Sequence, residues 1–366
     1  MTKLGTSVRS LFGVRQRPAA LVQRTLLRPD KASCKPGRPP KSGVLSKKLL
    51  SVVPLLFAVS LAPSSETGLN EAVRLYQRGE YQQAADLLAS LSRSSPGDPA
   101  VRLWLGKAYL KIHKWDEAVR ELERAVQLVP SKSEYHLWLG RAYGEKASRA
   151  FFLKAPGWAA KARNEFETAV RISPDNIDAR FDLLEFYIDA PGIIGGGREQ
   201  AEAQIREIAR LNPRLGHTAR ARFYEDKKRW DLARQELEKS TRESPDRPES
   251  FLDLADFCLK QGDAAGAESY ALKALELDNK SPRGKFVLSA AQIQMRKSLP
   301  DAEKRLRDIA SGPLRDDDPS FAEVYYWLGQ ALLAQGKRPE ARHAFEAALG
   351  YDPEHAKAKA ALSQLG

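Results

Sequence analysis

The chain has 366 residues, 42% hydrophobic and 29% charged, with a formal net charge of +12 and two cysteines. Two cysteines exclude a disulfide framework, and the apolar and charged fractions are those of a folded domain rather than a disordered chain. Residues 1–48 hold twelve basic residues and one acid, so the other 318 residues carry only +1, which excludes an even basic coat for nucleic acid over most of the chain.

The first element in chain order is the basic lead, residues 1–48, which contains Cys34 and many Pro, Ser and Gly residues. Residues 49–63 form an apolar segment, LLSVVPLLFAVSLAP, preceded by Lys47 and Lys48. A spanning helix needs about 20 apolar residues, and this run is shorter and holds Pro54. It suits the apolar core of a secretory signal. Ala58, Ser60 and Ala62 supply small residues for two cleavage frames, one of them followed by Pro63. The expectation is export, with the segment either cleaved or kept as a membrane tether. That places the chain in a bacterial periplasm or on the outer face of the inner membrane. A start near Val44 or Leu45 would leave a signal of ordinary length. A mitochondrial transit segment, which is also Arg-rich and acid-poor, is the alternative.

From residue 64 to 366 one pattern recurs. The stretch PAVRLWLGKAYLKIHKWDEAVRELERAVQLVP between Pro99 and Pro130 reads as two amphipathic helices joined by a short turn. It carries Gly106, Tyr109, Ala118, Leu122, Ala125 and Pro130 at positions 8, 11, 20, 24, 27 and 32 of a 34-residue unit. Units fall near 65–98, 99–132, 133–176, 177–213, 214–247, 248–281, 282–318 and 319–355, and 356–366 reads as a polar, Ala-rich cap. The seventh is the most degenerate, and Cys258 takes position 11 of the sixth, as a small buried hydrophobe. Small residues let two helices approach closely, and proline after each second helix forbids its continuation. Asp, Asn or Ser in SPGD, SPDN, SPDR and YDPE offers a cap for the next helix. A unit this short cannot bury its own apolar face and must stack on its neighbours.

The pattern resembles the tetratricopeptide repeat (TPR). The resemblance implies an all-α fold: a right-handed superhelix, or α-solenoid, of about eight helical hairpins with a C-terminal capping helix. It also implies that the first helix of each unit lines a concave groove that receives a protein or peptide segment. Carried over position by position, the groove residues are Lys107, Arg141, Asp178, Phe181, Asp182, Glu185, Asp189, Arg222, Asp253, Asp256, Tyr326 and Trp327. Asp178, Asp182, Glu185 and Asp189 share one helix face, where like charges repel by a few tenths of a kcal/mol per pair. Such a face is either well solvated or receives cations, so the partner segment is expected to be basic. The Lys/Asn/Arg clamp by which some members of the family hold a terminal carboxylate is not matched, since Leu103 and Trp138 stand where Lys and Asn belong.

Two insertions break the register, around 144–161 and 190–197. Both fall in the turn between a unit's helices and so protrude on one edge. Their apolar residues Phe151, Phe152, Trp158, Ile193 and Ile194 either pack on each other or form a docking knob for a partner or membrane surface. Catalytic chemistry is not evident. Gly195–Gly197 lacks the Lys-Ser/Thr of a phosphate loop. The five histidines are scattered and lack metal-ligand spacing. The expectation is therefore a non-catalytic interaction scaffold without metal, cofactor, nucleic acid or small-molecule substrate. A membrane contact through the N-terminal segment is expected if that segment is uncleaved. A structural subunit of a larger envelope assembly or polymer-export complex is the alternative.

Overall fold

The computed structural model describes residues 65–151 and 153–365. The basic lead, the apolar segment 49–63 and Phe152 lie outside the described residues. Within them every regular element is helical: seventeen α-helices and one 3₁₀ turn, without a strand. The helices are α1 (Ser65–Gln77), α2 (Tyr81–Ser94), α3 (Pro99–Lys111), α4 (Trp115–Leu128), α5 (Ser133–Arg149) and α6 (Ala155–Ile172). Then follow α7 (Ile177–Asp189), α8 (Arg198–Leu211), α9 (Pro213–Asp226), α10 (Trp230–Glu243), α11 (Pro248–Lys260) and α12 (Ala264–Leu277). The array ends with α13 (Pro282–Gln294), α14 (Leu299–Ser311), α15 (Phe321–Ala334), α16 (Arg338–Tyr351) and α17 (Ala356–Leu365).

Consecutive helices pack as antiparallel hairpins, and each odd-numbered helix from α1 to α15 also touches neighbouring odd-numbered helices. The small residue of the first helix makes this possible. A Cβ added at Gly106 would lie 2.5 Å from the Leu122 side chain, at Gly140 2.5 Å from Phe166, and at Gly329 2.5 Å from Phe345. The bulky residue of the second helix thus fills the space that glycine leaves in the first. The alanines of the seam, Ala118, Ala125, Ala162, Ala169, Ala233, Ala267, Ala274, Ala341 and Ala348, are fully buried.

Helix starts follow the expected chemistry in part. The Asp98 carboxylate accepts hydrogen bonds from the Ala100 and Val101 N–H groups, and the Asn176 side chain accepts one from Ala179. In SPDR the N-cap is Arg247, which makes no side-chain cap bond. After YDPE the His355 Nδ1 accepts from the Ala358 N–H instead.

The third hairpin's insert differs from the expectation of a protruding loop, whereas the fourth's, 190–197, stays a turn with Ile193 exposed. The ten extra residues of the third hairpin lengthen both its helices, to 17 and 18 residues, where those of the second hairpin have 13 and 14. Ala147, Ala155 and Ala159 are buried in the added turns, so helix pairing continues beyond the ordinary end of the hairpin.

The array curls far enough for its ends to meet. Tyr81, at the start of α2, lies edge-on to Phe321 and Tyr351 with ring centroids 6.4 and 6.1 Å away. Phe321 and Tyr351 stack at 5.1 Å. Gly79 turns the first hairpin with φ of 78°, and a Cβ there would sit 2.8 Å from the Phe321 ring. The first hairpin therefore needs glycine at this turn for its backbone and for the seam it makes with the eighth.

Candidate functional site

The odd-numbered helices present a row of charged side chains that pair from one helix to the next. Arg141 on α5 donates to the Asp182 carboxylate on α7 at 2.6 Å. Arg222 on α9 reaches back to Glu185 at 2.8 Å and Asp189 at 3.5 Å, both on α7. Arg214 on α9 and Arg283 on α13 approach Asp253 on α11 from either side, at 3.1 and 2.9 Å. Arg283 also donates to Asp256 at 2.5 Å, and the Thr218 hydroxyl donates to Asp253 at 2.9 Å.

Asp182, Asp253, Arg222 and Arg283 are all buried. Burial works against the charge on Arg141, Arg222 and Arg283, but the facing carboxylates outweigh it and hold each guanidinium above its ordinary pKa. Buried ions need partners of this kind, since a lone one carries a large desolvation cost.

The acidic face read from the sequence is therefore not a bare surface awaiting a basic segment. Asp182, Glu185, Asp189, Asp253 and Asp256 each face an arginine of the chain itself, and Asp178 adds to the field at Arg141. Sequence reasoning placed Arg141 and Arg222 in the groove but missed that they pair with its acids, and it missed Arg214 and Arg283 altogether. The available signal was an arginine standing roughly one repeat away from each acid.

At the N-terminal end of the row, Lys107 on α3 is buried, at 4% exposure. Its ammonium lies over the indole faces of Trp104 and Trp138, at 3.9 and 4.3 Å from the ring centroids. Its carboxylate partner is Asp316, at 2.6 Å, from the connector between α14 and α15. Tyr76 on α1 donates its hydroxyl to the same carboxylate at 2.7 Å. Asp316 is a further residue that the sequence reading missed.

The aromatic groove residues Phe181, Tyr326 and Trp327 are half-buried. Tyr326 packs against Phe345 and His355, with centroids at 6.0 and 5.1 Å. Of the inserted-turn residues, Phe151 is 66% exposed and Ile193 86% exposed. Trp158 instead stacks on Tyr143 at 5.7 Å, with Lys146 over its ring at 3.8 Å. Ile194 packs against the same core as Trp158, and its carbonyl accepts from Arg163 at 3.2 Å. The two inserts thus meet each other through Ile194 and α6.

No group of His, Cys, Asp and Glu suited to a metal ion occurs among the described residues. Cys258 is fully buried, and burial pushes its thiol up to about 11. No described helix is long and apolar enough to cross a membrane.

Family models described as tetratricopeptide repeat match residues 75–141, 218–282 and 322–355. The chain is 31% identical to the rhomboid protease GluP of Bacillus subtilis (strain 168) over 117 residues, which is 29% of this chain and 23% of that protein. Among solved structures it is similar to yeast Tom70, with a TM-score of 0.57 and 16% identity over 85% of this chain and 66% of that one. It is also similar to a thermophilic TPR protein of Thermus thermophilus, with a TM-score of 0.42 and 21% identity over 63% of this chain and 100% of that one. The chain spans less than two thirds of the length of GluP and of Tom70.

Proposed function

This chain is a tetratricopeptide-repeat protein, and on that premise we propose that it is a non-catalytic scaffold that binds a segment of a partner protein along its concave wall. One observation carries the reading. Neighbouring first helices are tied together by buried ion pairs, Arg141–Asp182, Arg222–Glu185 and Arg283–Asp253 among them. A wall fixed in this way is pre-organised, and pre-organisation lowers the entropy lost on binding. The half-buried aromatic faces of Phe181, Tyr326 and Trp327 supply apolar contact for an extended or helical segment. Because the acids of the wall already face arginines, a basic partner is not what this charge pattern favours. The apolar run 49–62 behind Lys47 and Lys48 supports export, which would set the scaffold outside the cytoplasm.

The test is selection of peptides from a displayed library on the immobilised full chain, followed by fluorescence anisotropy. Selected segments should lose affinity by about tenfold when Phe181 and Trp327 are both changed to Ala, the loss expected for about 1.4 kcal/mol of removed contact. Selected segments that bind the double variant as tightly as the original chain would refute the groove reading.

A further inference from the structure

The connector between α14 and α15, residues 312–320, has nine residues, where 95–98, 129–132, 173–176, 244–247, 278–281 and 352–355 each have four. Its sequence is GPLRDDDPS. It does not stay beside its own helices. The Leu314 N–H donates to the Gln77 carbonyl at 2.6 Å, at the end of α1, and the Leu314 side chain is buried. Arg315 folds back on Asp317 and Asp318, at 3.5 Å from each. This leaves Asp316 to enter the Lys107 pocket.

The pocket has the makings of a carboxylate receptor. Lys107 is fixed between two indole faces, with the Tyr76 ring 5.5 Å away. Tyr76 adds a hydroxyl donor, and Lys111 adds positive potential at the Asp316 carboxylate. A buried ammonium among aromatic faces keeps its charge only with an anion beside it. Elsewhere along the wall that anion belongs to the adjacent first helix, as at Arg141, Arg222 and Arg283. At Lys107 it comes instead from a connector near the opposite end of the array. The Asp316 side chain is still 33% exposed there, so a carboxylate arriving from solvent meets it directly, while the buried Leu314 holds the rest of the connector in place.

We propose that the pocket of Lys107, Trp104, Trp138 and Tyr76 receives an aspartate or glutamate side chain of a partner segment, and that Asp316 is its built-in competitor. This rests on the scaffold reading above and deepens it: the partner segment carries an acid that exchanges with Asp316. A tethered competitor of about 100 μM intrinsic affinity, held at an effective concentration on the order of 1 mM, weakens an incoming segment by about tenfold. The connector then sets the threshold for binding and, when seated, fastens the first hairpin to the last.

The probe is a fluorescent peptide with the sequence of residues 312–320, titrated into the full chain. A Leu314→Gly, Asp316→Asn chain, in which the connector is unseated, should bind it about tenfold more tightly than the original chain, the factor removed by freeing the site. Adding Lys107→Met to that chain should abolish binding, and a probe carrying Asn in place of its first aspartate should not bind. Equal affinity for both chains, or binding that survives Lys107→Met, would overturn the proposal and make the connector a permanent clasp. Should the unseated chain lose helix content, the original chain is titrated with unlabelled peptide while tryptophan emission is followed. A saturable change supports exchange, and a flat titration to about 10 mM, roughly tenfold above the tethered concentration, overturns it. A failure here with library peptides still sensitive to Phe181 and Trp327 leaves the scaffold reading intact; loss of both defeats both.

Discussion

The row of ion pairs predicts a large penalty for removing its most shared member. Asp253 faces Arg214 at 3.1 Å and Arg283 at 2.9 Å, and their side chains are only 10% and 7% exposed. Asp253→Ala would leave Arg214 without its carboxylate, whereas Arg283 keeps Asp256 at 2.5 Å. Breaking a buried pair by deleting one partner costs about 3–5 kcal/mol. The retained Asp256 contact puts the expected value near the lower end, about 3 kcal/mol. For a chain of this size that corresponds to a midpoint lowered by roughly 4–5 °C. Because stability in such an array is a sum of nearest-neighbour terms, the melt should also broaden as hairpins on either side of α11 lose their coupling. Thermal unfolding followed by far-UV circular dichroism reads both effects. The loss should persist in about 1 M salt, where the Debye length is only about 3 Å, because buried pairs are screened little. A midpoint within about 1 °C of the original chain would refute the reasoning, since that is the behaviour of an exposed pair.

Gly140→Ala should destabilise although alanine favours helices: overpacking against Phe166 costs about 1–3 kcal/mol and outweighs a propensity gain of roughly 1 kcal/mol, readable by urea denaturation. Ala118→Asp buries an unpaired carboxylate in a fully buried seam position. It should cost on the order of 4 kcal/mol or more and remove helix signal from the second and neighbouring hairpins. Burial alone would raise the pKa of Asp316, but Lys107, Lys111 and Tyr76 outweigh it and hold the carboxyl at about 2, below its ordinary 3.8. Its contribution is therefore complete above about pH 4 and fades as pH falls toward about 2, where tryptophan emission should report opening of the Lys107 pocket; Asp316→Asn should abolish that step. Cys258 should resist iodoacetamide at neutral pH until the chain is unfolded, as mass spectrometry of the alkylated protein can show.

The helical hairpin was legible from short-range pattern because its causes are short-range. Gly106 and Leu122 are sixteen residues apart, and their contact recurs as Gly140 with Phe166 and Gly329 with Phe345. The pairing of charges was not legible in the same way. The sequence displays the four acids of α7 on one face, but Arg141 and Arg222, which pair with three of them, stand 41 residues from Asp182 and 37 from Glu185. Their meeting depends on the register between hairpins. The inserts misled for a related reason. Apolar residues between two helices read as an odd exposed loop, but most of the third unit's insert prolongs α5 and α6 and is covered there.

The meeting of Tyr81 with Phe321 and Tyr351 lies further still from any local signal. It depends on small rotations added over the whole array, which no single unit encodes. That closure matters for function as well as for shape. In an open array, a partner segment meets only the wall. Here a connector of the seventh unit stands at the entrance, holding the same lysine that the sequence offered to a partner. A groove of this kind discriminates by exchange rather than by simple attraction. Under the proposed exchange, a segment binds most tightly when its acid replaces Asp316 on Lys107 and Tyr76 while the rest of it finds the aromatic faces farther along. A segment with either feature alone binds more weakly than one that carries both.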